Sequence, residues 1–358
     1  YTTLVALITA GIFTISCFVN AEIGVLNLNM VKDNLNGVTI GESLRETVET
    51  QVTNDGSRSN SYVWSMYLND FLPRCLVFLA LSVSCRFVAG RGKTMIEVQK
   101  ATSEKDARIE TELGLATNIQ ANMLPRIFPA FPAKHEFDIY ATMTPAKEVG
   151  GDFYDFFMLD DYHLAIVVAD VSGKGVPAAL FMVIAKTLIK DHTMIEKDPG
   201  AVFTEVNRLL CESNSEDLFV TAFEGVLDLR TGEFIFVNAG HELPFILTKG
   251  GKYKAQRIHP AFVLSGFEDM KYKSGKIQLN PGDKFFQYTD GVTEATNINN
   301  ELYGMNRLES VLNKNTDKNP NDLLPAIKKD IDEFVGDAPQ FDDITMLSFE
   351  FKAFAKEE

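Results

Sequence analysis

Four aspartates stand in four short, turn-like motifs between positions 152 and 342: Asp152 in Gly150-Gly151-Asp152, Asp170 in Ala169-Asp170-Val171-Ser172-Gly173, Asp290 in Thr289-Asp290-Gly291, and Asp342 in Phe341-Asp342-Asp343-Ile344-Thr345. Each borders an apolar run that reads as a buried strand. Carboxylates delivered from several strand ends to one place repel each other, and a hard cation with oxygen ligands relieves that repulsion. The pattern predicts a divalent-metal hydrolase.

The motifs differ in how much they say. Gly150-Gly151 lets the chain turn tightly and present Asp152, with Glu148 and Asp155 near enough in sequence to support it. Asp170 ends the very apolar run Leu164 to Ala169 and leads into the glycine-punctuated Val171-Ser172-Gly173-Lys174-Gly175, where the Val171 carbonyl is a further candidate oxygen ligand. Lys284 to Tyr288 repeats the device and ends in Thr289-Asp290-Gly291. In the last motif Asp342 and Asp343 are adjacent, so only one can point to a given side of a strand. Aspartate is common in turns, so any one motif is weak evidence. The four in this order are far more specific.

The elements that must position these groups are legible from Glu136 onward. Strands are predicted at Phe137–Met143, Phe153–Met158, His163–Ala169, Leu218–Leu227, Phe234–Val237, Pro244–Leu247, Lys284–Tyr288 and Ile344–Phe351. Helices are predicted at Pro177–Ile189, Ala201–Leu210 and Asn321–Phe334. Strands come in runs with helices inserted in groups, which fits an α+β sandwich better than a parallel doubly wound sheet.

The 358 residues, 46% apolar and 23% charged, suffice for one sizeable catalytic core and an accessory region. A net charge of −15 argues against nucleic acid as the main partner, since a polyanion would be repelled. Cys17, Cys75, Cys85 and Cys211 show neither disulfide nor zinc spacing and read as reduced or lipid-buried. Tyr1 rather than Met stands first, which leaves room for residues upstream.

Residues 1–90 read as a membrane region. A charge-free apolar run at about 3–19 and a second apolar run at about 71–89, with Arg74 and Arg86 near its ends, predict two transmembrane helices, a cleaved signal peptide being the rival for the first. The acidic stretch between them would form a short extracytoplasmic segment. Arg86 near the end of the second run is followed by Arg91, Lys93 and Lys100, which by the positive-inside rule puts the rest in the cytoplasm of a multi-pass protein of the cell membrane. Residues 91–125 read as a linker helix in which Ile109, Leu113, Ala116, Ile119 and Met123 form an apolar stripe. That stripe suits packing on the next domain or a parallel coiled coil that makes a homodimer. Pro125 ends the helix, and residues 126–358 form the catalytic domain.

Taken together, Gly150-Gly151-Asp152-Phe153-Tyr154-Asp155, Asp170-Val171-Ser172-Gly173-Lys174-Gly175, Asn238-Ala239-Gly240-His241, Thr289-Asp290-Gly291-Val292-Thr293-Glu294 and Asp342-Asp343-Ile344-Thr345 resemble the SpoIIE/RsbU branch of the PPM-type metal-dependent serine/threonine protein phosphatases, over roughly 124–351. The resemblance implies a β-sandwich flanked by helices and a centre of two Mn²⁺ or Mg²⁺ ions. Asp170 would bridge both ions, Asp290 and Asp342 would complete one site, and Asp152 with the Val171 carbonyl would serve the other. It also implies a phosphorylated protein substrate, often a STAS-type anti-sigma-factor antagonist, and switching through the helices at 177–189 and 201–210. Ser172 stands where the larger eukaryotic-type members carry a histidine, and Lys147 is the nearest base to the first motif, so the general acid and a phosphate-gripping arginine are unassigned.

His241 is a tempting base, but a turn histidine that ties down its own loop is the better reading, and Lys174 reads as a solvated loop residue. Two other functions compete. A membrane receptor or scaffold could keep the phosphatase fold without turnover, which the intact set of aspartates disfavours. Gly150-Gly151-Asp152 also resembles part of the signature of cyclic-dinucleotide cyclases, but Phe153-Tyr154 replaces the Glu-Phe that usually completes it.

Overall fold

The computed structural model describes residues 72–356 together with Asn69. Among the described residues, those up to Arg108 and those from Ile109 onward belong to two separate units. The first expected span, at about 3–19, lies outside the described residues. The second belongs to helix α1, Leu72–Met123. It carries an 18-residue window of mean hydropathy 1.5, none of it buried, so by length and composition α1 is able to cross a membrane. The expected transmembrane segment and the expected linker are thus one continuous helix. Gly90 and Gly92 do not interrupt it, because a glycine inside a helix costs only about 1 kcal/mol.

The second unit is built on two antiparallel five-stranded sheets. One has the order β1 (Phe137–Thr144), β10 (Ile344–Phe351), β9 (Lys284–Tyr288), β6 (Phe245–Leu247), β7 (Tyr253–Ala255). The other has the order β2 (Phe153–Met158), β3 (His163–Val171), β4 (Val220–Asp228), β5 (Glu233–Ala239), β8 (Gly275–Gln278). Helices α2 (Val176–Thr193) and α3 (Pro199–Glu212) pack on the second sheet. Helices α5 (Gly304–Lys314) and α6 (Pro320–Val335) pack on the first, and a single turn, α4 (Asp290–Thr293), follows β9.

Strand alternation explains why the apolar runs are so unbroken: both faces of each sheet are covered. Phe285 of β9 and Phe349 of β10 turn inward and stack at 5.1 Å between ring centroids, and Phe285 meets Phe223 and Phe234 of the facing sheet at 5.6 and 5.4 Å. Their neighbours Phe286 and Met346 turn outward and join Leu308, Leu312, Leu323 and Ile327 beneath α5 and α6. The expected α+β sandwich flanked by helices is what forms. Strands β7 and β8 and helices α4 and α5 add to the elements expected from the sequence.

Candidate metal centre

Register brings the four motifs to one end of the sandwich. In the second sheet Phe153 pairs with Ala169, so the entry to β2, carrying Asp152, lies beside the exit of β3, carrying Asp170. In the first sheet Met346 pairs with Tyr288, so the exit of β9 lies beside the entry to β10, which places Asp290 near Asp342. Thr289 joins the two sheets there: its hydroxyl donates to Asp152 Oδ2 at 2.7 Å and accepts from the Thr345 N–H at 3.1 Å.

This crowding needs glycine at three points. A Cβ on Gly151 would meet the Val171 carbonyl oxygen at 2.7 Å, and one on Gly291 would meet the Asp343 carbonyl oxygen at 1.9 Å. At Gly150 a Cβ would strike Asp343 Oδ2 at 2.1 Å. Asp343 is itself a structural acid. Its carboxylate accepts from the N–H groups of Ala146 at 2.8 Å and Gly151 at 2.9 Å, which ties the first motif to the last. Of the adjacent pair, Asp342 is the one not tied to that loop; its Oδ1 accepts the Asp343 N–H at 2.9 Å.

The electrostatics are those of acids without enough cations. Burial first, then the charges of Asp170 and Asp343, hold the Asp152 carboxyl well above its ordinary range. Asp170 is pushed up to about 7 by burial and by Asp290, with smaller contributions from Asp342 and Asp343, against a hydrogen bond shared with Asp152. Asp290 is pushed up to about 6 by burial, Asp342, Glu294 and Glu242. Among the described residues no three acidic, histidine or cysteine side chains meet at one coordination point, so the carboxylates are neighbours but do not form a closed shell. They nonetheless fit a hard divalent ion in kind: all donors are oxygens, the negative charge is concentrated, and the Val171 carbonyl faces Gly151 in the same recess.

Two side chains behave differently from their sequence reading. Lys174 is not merely solvated: its ammonium lies 2.9 Å from Asp342 Oδ2, donates to the Phe341 carbonyl at 2.7 Å and sits 3.8 Å from the Phe341 ring centroid. Asp155 faces α2 instead of supporting Asp152, and is paired with Lys186 and, at 3.5 Å, Lys190. His241 is the structural histidine expected. It is buried, its Nδ1 lies 2.9 Å from Thr221 Oγ1, and burial lowers it to about 3, so its ring is neutral. Asn238 holds its turn by donating to the His241 carbonyl at 2.9 Å and accepting its N–H at 2.8 Å. Glycine-flanked aspartates carried the signal for the cluster, whereas nothing local in the sequence marks Lys174 as its counter-ion.

The family model for stage II sporulation protein E (SpoIIE) matches residues 160–352, more than half of the chain. The chain belongs to the SpoIIE family. It is 31% identical over 285 residues to protein IcfG of Synechocystis, covering 72% of this chain and 44% of IcfG. It is 29% identical over 226 residues to the phosphoserine phosphatase RsbU of Bacillus subtilis, covering 63% of this chain and 66% of RsbU. The chain thus spans from under half to about two thirds of the length of these curated relatives. Among solved structures, the SiaA-PP2C domain of Pseudomonas aeruginosa superposes with a TM-score of 0.61 at 25% identity, covering 69% of this chain and 98% of that domain. The RsbU and RsbW domains of Rv1364c from Mycobacterium tuberculosis give a TM-score of 0.54 at 25% identity, with 62% and 61% covered. The sandwich of this SpoIIE-family chain is therefore the PP2C fold.

Proposed function

We propose that the chain is a metal-dependent protein phosphatase that hydrolyses phosphoserine or phosphothreonine on a bacterial signalling protein. The observation that carries this reading is the meeting of four aspartate motifs at one end of a PP2C-type sandwich, with Asp170 raised by burial and by Asp290, and Asp290 raised by burial and by Asp342. Asp152, Asp170, Asp290, Asp342 and the Val171 carbonyl would hold two Mn²⁺ or Mg²⁺ ions. Bound ions of this kind supply an activated water and neutralise phosphate oxygens during in-line attack. The protein's own contribution is to fix those carboxylates: Thr289 orients Asp152, and Asp343 clamps the loop that precedes it.

The substrate by this reading is a phosphorylated partner of the STAS-type anti-sigma-factor antagonist class, and RsbU, a phosphoserine phosphatase by name, supports that class of reaction. The apolar window of α1 supports anchorage in the cell membrane, with the catalytic unit on the cytoplasmic side by the charge pattern that follows the window. Exposed Ile109, Leu115 and Ile119 on α1 support a homodimer.

The test is hydrolysis of a phosphoserine protein and of an aryl phosphate with Mn²⁺, comparing wild type with Asp170→Asn. Turnover by the wild type that the substitution abolishes is the expected result. If the wild type hydrolyses neither compound, the activity is refuted and a scaffold role takes its place.

A further inference from the structure

The end of α1 holds the loop that presents Asp152. Gln120, 8% exposed, uses both halves of its amide on a single residue: Nε2 donates to the Gly150 carbonyl at 2.7 Å, and Oε1 accepts from the Gly150 N–H at 3.1 Å. Thr117, nearly one turn earlier, donates to the Glu148 carbonyl. Beyond Asp152, the Tyr154 hydroxyl donates to the Pro125 carbonyl at 2.8 Å, just past the helix end. One helix terminus therefore brackets residues 148–154, with Asp152 in the middle.

This is not the contact that hydrophobic periodicity anticipates. Ile109 and Ile119 of the expected stripe are exposed, while Thr117 and Gln120 are turned to the catalytic unit. A buried primary amide is tolerable only where its donors and acceptor are matched, and here its partner is the backbone two residues before an aspartate of the cluster. On the opposite side the same loop is fixed by Asp343, which accepts the Gly151 N–H at 2.9 Å. The Asp343 clamp is internal to the sandwich. The Gln120 clamp belongs to a helix that runs unbroken from Leu72.

We propose that Gln120 is a positioning residue: its two-way amide contact holds the Gly150–Asp152 turn in the form that admits a divalent cation, so that loss of the amide lowers cation affinity. The inference rests on the reading of Asp152 as a metal ligand. Partners of metal ligands typically change affinity tenfold to a hundredfold when removed.

The experiment is calorimetric titration of the full chain, solubilised in mild detergent, with MnCl₂, alongside hydrogen exchange over residues 148–154 and steady-state kinetics on a phosphoserine protein. Gln120→Ala is expected to weaken Mn²⁺ binding roughly tenfold and to speed exchange in that segment. Saturating Mn²⁺ should restore kcat, and KM for the phosphoprotein should be unchanged. Thr117→Val should act in the same direction but less. Mn²⁺ affinity within twofold of wild type despite faster exchange would overturn the proposal and leave the clamp a purely structural one. If Gln120→Ala fails to fold, Tyr154→Phe, which removes one hydrogen bond and keeps the ring packing, carries the test: weaker Mn²⁺ binding supports the proposal and unchanged binding overturns it. A wild type that takes up no Mn²⁺ would instead refute the metal reading of the aspartates themselves.

Discussion

Asp152 and Asp155 lie three residues apart at the start of one strand, each 2% exposed, yet their surroundings are opposite. Asp152 faces Asp170 and Asp343, and burial among like charges holds its carboxyl well above the ordinary range. Asp155 faces Lys186 and Lys190 beneath α2. A buried acid met by a base is complete within the fold and contributes to its packing. One met by other acids is unfinished, and under the proposed function a cation would finish it. The contrast separates function from architecture better than burial alone.

The largest effect is expected where the acids are unpaired. Asp170→Asn should cost about a thousandfold in Mn²⁺-dependent kcat/KM, or ~4 kcal/mol of transition-state stabilisation. Its thermal stability should not fall, because one of several repelling charges has gone. Kinetics paired with a melting curve would check both; a variant that keeps its activity would erase the functional half of the comparison.

At the paired pole the same kind of change should do the reverse. Lys186→Met strands Asp155 in the interior with only the more exposed Lys190 at 3.5 Å, and should destabilise the unit by about 3 kcal/mol. Activity of the remaining folded protein should be kept. Adding Asp155→Leu should recover much of the stability, since an apolar pair replaces an ion pair at little net cost. Urea titrations of the single and double variants would show it.

How far the sequence discloses this division can be judged element by element. Strands β2, β9 and β10 fall where their apolar runs predict, because both faces of each sheet are covered and the runs carry few interruptions. Helix α5 is harder to see, although Leu308, Val311 and Leu312 carry helical spacing, because Gly304 and two asparagines dilute the pattern. Strands β7 and β8, of three and four residues, are too short and too exposed for periodicity to register. Asp152, Asp170, Asp290 and Asp342 are legible because glycine beside a carboxylate at a strand end is an unusual local pattern. The different fate of Asp155, and the roles of Gln120 and Lys174, depend on partners 31, 30 and 168 positions away, and no local pattern records them.

Lys174 sharpens the comparison, since it brings a base to the acidic pole. At 2.9 Å from Asp342 and about one third exposed, it is a modest ion pair worth up to about 1 kcal/mol. An arriving divalent cation must compete with it. Lys174→Met should therefore tighten Mn²⁺ binding by roughly threefold, as read by calorimetry. Weaker binding would mean that the ammonium assists the site, and the pole would then be less deficient in cations than it looks.

The last prediction concerns a buried acid that belongs to neither pole. Glu224 on β4 is fully buried, accepts a hydrogen bond from Thr193 at the end of α2, and leaves its Oε2 without a partner. Burial pushes it up to about 8, only partly offset by Thr193, so the folded chain keeps a proton that the unfolded chain releases near 4.5. Below that lower value the group carries no ionisation penalty. As pH rises from about 4.5 to about 8, ionisation favours the unfolded chain and native stability falls. Glu224→Gln cannot ionise, so its melting temperature should gain on wild type by on the order of 3 °C between pH 5 and pH 8, for each kcal/mol of penalty removed. A constant difference across that range would mean that the folded protein accommodates the Glu224 anion. Pairing with a base would then not be the only way this interior completes a carboxylate, and the rule drawn from Asp152 and Asp155 would have to be narrowed to the strand ends.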